Sequence, residues 1–175
     1  MPNQFLLLLL LLPSLQLRSA SAQPSPTTLP APAQDFLDAH NRARSAVNVP
    51  QLQWSSYLAN LTSLLVRRQR DTAGCQFANL TSSKYGGNQL LAGGSIEALP
   101  KPRAAVEEWV KEKAYYDYGN NTCVPGHETC GVYTQVVWGK SRALGCGQAV
   151  CGKEALGLTV CFYDPPGNVV GERPY

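Results

Sequence analysis

The chain has 175 residues, 15 Lys and Arg against 12 Asp and Glu, a formal charge of +3, and six cysteines. That length accommodates one domain around a single core and not comfortably two. Beyond "RRQR" at Arg67 to Arg70 no dense basic run appears, which speaks against a nucleic-acid partner; cations closing a helix complement its dipole instead.

Residues Phe5 to Leu12 are apolar throughout but too few to span a bilayer, which takes a helix of ~20 residues. Small residues at Ala20, Ser21 and Ala22 fit a signal peptidase, so 1–22 reads as a signal peptide, despite lacking a basic start, and the mature chain begins at Gln23. Removing these 22 residues leaves 153, and the loss of Arg18 lowers the charge to +2. All six cysteines follow the cut. An even count in an oxidising compartment predicts three disulfides rather than zinc or free thiols, and each would contribute ~2–5 kcal/mol.

Residues 23–33, "QPSPTTLPAPA", carry four prolines in eleven positions and read as an extended leader before a domain over 34–175. A first helix is expected from Asp35 as its cap, with Phe36, His40, Ala43 and Val47 on one face. A second follows Ser55, with Trp54, Leu58, Leu61 and Leu65 at the same spacing. The third begins at Pro102, with Val106, Trp109, Val110 and Lys113 on one side and a Glu107 to Lys111 ion pair on the other. Beyond Tyr118, "VYTQVVW" and "LTVCFY" are rich in β-branched and aromatic residues, with Gly145, Gly147, Gly152 and Gly157 between them. These read as short antiparallel strands. Helices on both sides of a small sheet make an α/β/α layered domain.

Candidate chemistry is sparse. "HETC" at His127 opens like a zinc-protease helix, but the residue four positions on is Gly131, so the motif is absent and His127 reads as a loop residue. His40, on an apolar helix face, fits a buried imidazole paired with backbone better than a base. No serine occupies a G-x-S-x-G elbow, and paired cysteines leave no thiolate. Asn60, Asn79 and Asn120 each head an N-x-T sequon.

Taken together, "FLDAHNRAR", "VPQLQWSSYLA", "AVEEWVKEKAYYDY", "CGVYTQVVW", "LGCGQAVC" and "VCFYDPPGNVVGERPY" resemble the plant pathogenesis-related 1 proteins of the CAP superfamily. The resemblance covers Asp35 to Tyr175. "CQFANL", "KYGGNQL" and "GVYTQ" look like the branch described from pistil tissue. It implies an α/β/α sandwich with disulfides joining Cys75 to Cys151, Cys123 to Cys130 and Cys146 to Cys161. The family places a helical turn where "VYTQVVW" otherwise reads as strand.

The family's cleft holds two histidines and two glutamates that bind divalent metal in several members. Carried over, these positions fall on Asn79, Gly87, Glu112 and Val132, and only Glu112 keeps its group. Zinc needs three or four protein ligands, so no metal and no other cofactor is expected. Glu112 then needs a donor such as Lys113 or a backbone amide. Asn79 either faces the cleft or carries a glycan at its mouth, and the second is expected.

The C-terminus resembles the family's signature for a released signalling peptide, with the cut between Asp164 and Pro165. Pro165 to Tyr175 contains no cysteine, so little would tether it covalently after cleavage, and its Gly167 and prolines suit an exposed strand exit. The resulting expectation is a monomeric, secreted, non-enzymatic defence-type protein of the apoplast or cell wall, with a cell-surface receptor for its peptide and no nucleic-acid partner. The alternative is a sterol- or lipid-binding protein acting against pathogens, using the apolar loop "LLAGGSIEALPKP" with Leu90, Leu91, Ile96 and Leu99.

Overall fold

The structure is a computed structural model that describes residues 28–93, 99–126, 129–152 and 156–175. The signal segment, leader residues 23–27, Ile96 and His127 lie outside these residues. Helix α1 spans Ala31–Ser45, beginning directly after Pro30 with Pro32 in its first turn. The proline-rich leader is therefore partly helical at its end. Proline lacks an N–H and has a fixed φ, both of which suit a first turn, so the expected cap at Asp35 is superseded and Asp35 lies inside the helix.

A short strand β1, Gln53–Trp54, precedes α2, Ser56–Thr72. The helix begins near Ser55 as expected, and Ser55 caps it, its Oγ accepting from Leu58 N at 3.3 Å. Strand β2 is Gly86–Gly93, and α3 runs Pro102–Lys111 into a 3₁₀ turn at Glu112–Tyr115. The ion pair on α3 joins Lys111 to Glu108 at 2.7 Å, not to Glu107 as expected; the i, i+3 carboxylate takes the ammonium. A small hairpin of β3, Tyr116–Asp117, and β4, Thr122–Cys123, leads to α4, Gly131–Val136. Strands β5, Ala143–Cys151, and β6, Leu156–Asp164, complete the regular structure of the described residues.

The main sheet has the order β1-β5-β6-β2, with β1 parallel to β5 and the other pairs antiparallel. Alternation along β6 sends Leu158, Val160 and Phe162 to one core with Leu58 and Val66 of α2. Cys161 and Tyr163 point the other way, into a second core with Phe36, Val106, Trp109, Tyr133 and Val136. One helix therefore covers one face and three cover the other, which is the α/β/α sandwich. Disulfides join Cys75 to Cys151, Cys123 to Cys130 and Cys146 to Cys161.

The stretch expected to be a strand, "VYTQVVW", is instead α4 and its exit. Residues 133–138 are buried all round, so burial carries no helical period there. In β5 the glycines have a steric cause: a Cβ on Gly145 would stand 2.5 Å from the Leu58 carbonyl carbon, and one on Gly147 would stand 2.8 Å from Ser63 N. Both let α2 lie directly on the strand.

Candidate functional site

The carried-over cleft positions come only partly together. Gly87 and Val132 line one open cavity of about 390 Å³ with Asn88, Thr129, Cys130 and Asn168. Glu112 stands beside it. Its two oxygens accept from Thr129 Oγ1 at 3.2 Å and Val132 N at 3.3 Å. The expected backbone amide is thus present, a threonine hydroxyl takes the role suggested for Lys113, and Lys113 is exposed to solvent. Asn79 is not among the lining residues; its Oδ1 accepts from Thr81 N at 3.0 Å and from Thr81 Oγ1.

These residues do not fit a metal ion. Val132 is apolar, Gly87 has no side chain, and both Glu112 oxygens are engaged by donors. Among the described residues no three His, Cys, Asp or Glu converge. A Cβ at Gly87 would lie 2.6 Å from Leu80 Cδ1, so the leucine of the 75–85 loop fills the space an acidic side chain would enter.

Behind the cleft lies a directional hydrogen-bond chain. His40 is fully buried; its Nδ1 lies 2.8 Å from Phe36 O and its Nε2 lies 2.8 Å from Tyr163 Oη. Phe36 O can only accept, so Nδ1 carries the proton and Nε2 accepts from the Tyr163 hydroxyl. Tyr163 in turn accepts from Asn88 Nδ2 at 3.2 Å, and the same Nδ2 donates to Val132 O at 2.8 Å. Burial lowers the His40 pKa to about 4 and raises that of Tyr163 well above its ordinary value. Every member is satisfied with a neutral imidazole, so the chain joins α1, β6, β2 and α4 and leaves no free base.

Arg44, which belongs to no catalytic or metal-binding motif, is fully buried, and among the described residues no carboxylate pairs with it. Its guanidinium donates to Pro50 O at 2.8 Å, Val136 O at 3.1 Å, Trp138 O at 2.8 Å and Ser141 O at 3.1 Å. Burial lowers its pKa to about 10, so it stays charged at neutral pH. A cation against carbonyls that leave α4 is favoured by the helix dipole and fixes the turn 137–142. That turn is where the C-terminal segment lands.

The segment after Asp164 has no covalent cross-link, as expected, yet the domain holds it through many non-covalent contacts. Ser141 Oγ donates to Pro165 O at 2.8 Å, and Gly167 N donates to Gln135 Oε1 at 2.9 Å. Asn168 accepts from Thr134 Oγ1 at 2.6 Å and donates to Gly131 O at 2.8 Å. Further along, Asn121 Nδ2 donates to Glu172 O at 3.0 Å, and Lys140 pairs with Glu172 at 2.8 Å. Arg173 donates to Tyr118 O and Gly119 O, Gly139 N donates to Pro174 O at 2.6 Å, and Tyr175 stacks on Tyr118. Gly167 is required here because a Cβ would lie 2.7 Å from Trp138 Cγ.

The fit leaves a cavity of about 250 Å³ beneath Val169 and Glu172, lined also by Tyr116, Thr134 and Trp138. At the segment's root, Asp164 is exposed, yet its carbonyl still accepts from Arg142 N at 2.9 Å. The sequence missed Gln135, Ser141 and Asn168 because each acts through partners remote along the chain.

Comparison with known proteins agrees with this architecture. The family described as "CAP: Cysteine-rich secretory protein family" matches residues 37–163. The STS14 protein of Solanum tuberosum is 59% identical over 143 residues, spanning 82% of this chain and 65% of that protein, just under two thirds of its length. Pathogenesis-related protein 1B of Nicotiana tabacum is 41% identical over 179 residues, spanning 100% of this chain and 95% of its own. Among solved structures, Schistosoma mansoni venom allergen-like protein 4 superposes with a TM-score of 0.66 at 24% identity, covering 84% of this chain and 95% of that one. NaASP2, solved with Zn2+, superposes at 0.64 with 20% identity, covering 87% and 90%; that likeness is one of fold.

Proposed function

Because the chain belongs to the CAP, or cysteine-rich secretory protein, family, we propose that it is a secreted, non-enzymatic defence-type protein whose output is its own C-terminal segment. The segment Pro165 to Tyr175 is stored in the fold and delivered after scission between Asp164 and Pro165. The observation that carries this reading is a contrast within one surface. The metal cleft has lost three of its four groups, while the segment beside it is held at Pro165, Gly167, Asn168 and from Glu172 to Tyr175.

Storage has a mechanical consequence. The segment has no cysteine, so after scission non-covalent contacts retain it: hydrogen bonds, an exposed ion pair, Arg173 over the Tyr118 ring, the Tyr118–Tyr175 stack and the burial of Pro174. Each such hydrogen bond contributes ~0.5–1.5 kcal/mol net, and their sum is lost only when the segment lifts as a unit. A protease must also draw the Asp164 carbonyl out of its bond with Arg142, so cleavage follows local opening of the β6 end. A freed peptide would be read by a cell-surface receptor.

Mass spectrometry of extracellular fluid around expressing cells tests the reading. A peptide with Pro165 as its free N-terminus is expected. Recovery of intact chain alone, under conditions in which related segments are released, overturns it.

The second reading, lipid binding, is favoured by a different place from the loop that suggested it. Leu90 packs on the core and Leu99 lies against Gly157, while residues 94–98 of that loop lie outside the described residues. An apolar groove of about 210 Å³ instead lies between α1 and α3, lined by Ala39, Ala43, Ala46, Val106 and Val110, with Arg42 and Glu107 beside it. Small-molecule pockets run ~300–1,000 Å³, so this groove suits an acyl segment better than a whole sterol. Saturable binding of a fluorescent fatty acid, lost in Ala43→Trp, would support it.

A further inference from the structure

The outer side of α2 carries apolar surface that the fold does not cover. Tyr57 is 61% exposed and Leu64 is 53% exposed. Leu61, Leu64 and Leu65 of this helix form one wall of an open groove of about 310 Å³, and Leu80 and Phe162 form the other, with Arg68 at the edge. Phe77, also on the 75–85 loop, is 56% exposed. An open groove walled by leucines and a phenylalanine is a place where a group with an apolar face can lie.

Two of the three sequons border this groove, one on each wall. Leu61 is the middle residue of Asn60-Leu61-Thr62, and Leu80 is the middle residue of Asn79-Leu80-Thr81. Asn60 stands on α2 between the exposed Tyr57, three positions before it, and Leu64, four positions after it, so helical geometry puts all three on one ridge. Asn60 and Asn79 are both exposed. At Asn79 the Oδ1 takes both bonds from Thr81, which leaves Nδ2, the atom a glycan would occupy, outside that turn. The third sequon differs: Asn120 Nδ2 donates to Asp117 at 2.6 Å in the β3–β4 hairpin, away from the groove.

We infer that N-linked glycans on Asn60 and Asn79 converge on this groove and are its occupant, their first sugar rings lying over Leu61, Leu64, Leu80 and Phe162. A pyranose ring presents polar edges to water and a face of C–H groups to apolar side chains, so it covers leucine and phenylalanine while remaining soluble. Arg68 adds a donor for sugar hydroxyls at the rim. The burial of Thr62 in the finished fold, where its hydroxyl bonds Leu58 O at 3.1 Å, does not oppose this, because the sequon is modified on the chain before it folds. The inference rests on the proposed passage through the secretory pathway.

The test uses the secreted full chain. Glycopeptide mapping first reads occupancy at all three asparagines. The folded protein is then treated with peptide-N-glycosidase under native conditions, followed by size-exclusion chromatography and an apolar dye titration. Glycans at Asn60 and Asn79 are expected, and their removal is expected to shift the protein from monomer to larger species and to raise dye fluorescence. Asn60→Gln with Asn79→Gln should reproduce the shift and Asn120→Gln should not; Leu64→Ser in the deglycosylated protein should reverse it. Empty Asn60 and Asn79 beside an occupied Asn120 would overturn the inference while leaving secretion intact. Occupied sites whose removal changes neither elution nor fluorescence would also overturn it. Absence of the protein from the medium would instead strike at secretion, and the inference would fall with it.

Discussion

The buried imidazole of His40 makes the stability of this protein depend on pH in a defined window. In the unfolded chain a histidine titrates near 6.5, whereas in the fold burial depresses His40 to about 4. Between those values the unfolded chain binds a proton that the native state refuses. The contribution is therefore fully present above pH 6.5 and is lost as pH falls towards 4. A shift of that size corresponds to ~3 kcal/mol at 1.36 kcal/mol per unit. Asp71 and Asp117, whose pKa values are lowered by Arg70 and by Asn120 respectively, act in the same direction but at lower pH, below the ordinary carboxylate value of 3.8. Urea unfolding at intervals from pH 7 to pH 4 should show the midpoint falling steadily across this window. His40→Gln should begin less stable and lose most of the slope. Tyr163→Phe, which removes the donor to Nε2 and keeps the ring, should lower stability while leaving a similar slope. A wild-type midpoint that is flat between pH 6.5 and 4, or a slope shared with His40→Gln, would refute the reasoning.

Other expectations follow from single contacts. Gly145→Ala should destabilise the fold by ~1–3 kcal/mol in thermal or chemical unfolding, since its methyl meets the backbone of α2 and not a movable side-chain tip. Arg44→Met should cost ~3 kcal/mol or more, because four carbonyls around the guanidinium lose their donor together. Gln135→Ala removes the acceptor of Gly167 N and the donor to Ser141 Oγ. Hydrogen exchange should then speed up at Gly167 while amides of β5 and β6 keep their protection. Glu112→Gln should leave zinc titrations by calorimetry unchanged from the wild type, both showing no saturable heat; a zinc response in the wild type that the variant abolishes would restore the cleft as a metal site.

The three long helices were legible because each has one buried face, and a period of about four residues survives in Phe36 and His40, in Leu58, Leu61 and Leu65, and in Val106 and Trp109. The start of α1 was obscured because prolines at 30 and 32 read as leader although proline is tolerated in a first turn. Helix α4 was misread from composition: Tyr133, Val136 and Val137 favour strands, and burial on all sides erases the period that would have contradicted them. Strands β2 and β5 were missed for the opposite reason. Their glycines at 86, 87, 145 and 147 look like loop, but Gly86 makes room for Gln135, and Gly145 and Gly147 make room for α2. Of the cleft positions carried over by resemblance, Gly87, Glu112 and Val132 adjoin one cavity and Asn79 does not; the docking of Pro165 to Tyr175 was not legible, because its partners at Tyr118, Asn121, Gln135 and Ser141 adjoin it only in the folded chain.

The claim that the domain stores its C-terminal segment is tested most directly by cutting the chain while it is folded. A specific protease site is inserted between Asp164 and Pro165, the folded full chain is cut to completion, and the product is passed through size exclusion with mass spectrometry of each fraction. Co-elution of the segment from Pro165 to Tyr175 with the domain, and its separation only after denaturation or in Gln135→Ala, is the predicted result. Immediate separation of the cut wild-type chain into bare domain and free peptide would contradict the account.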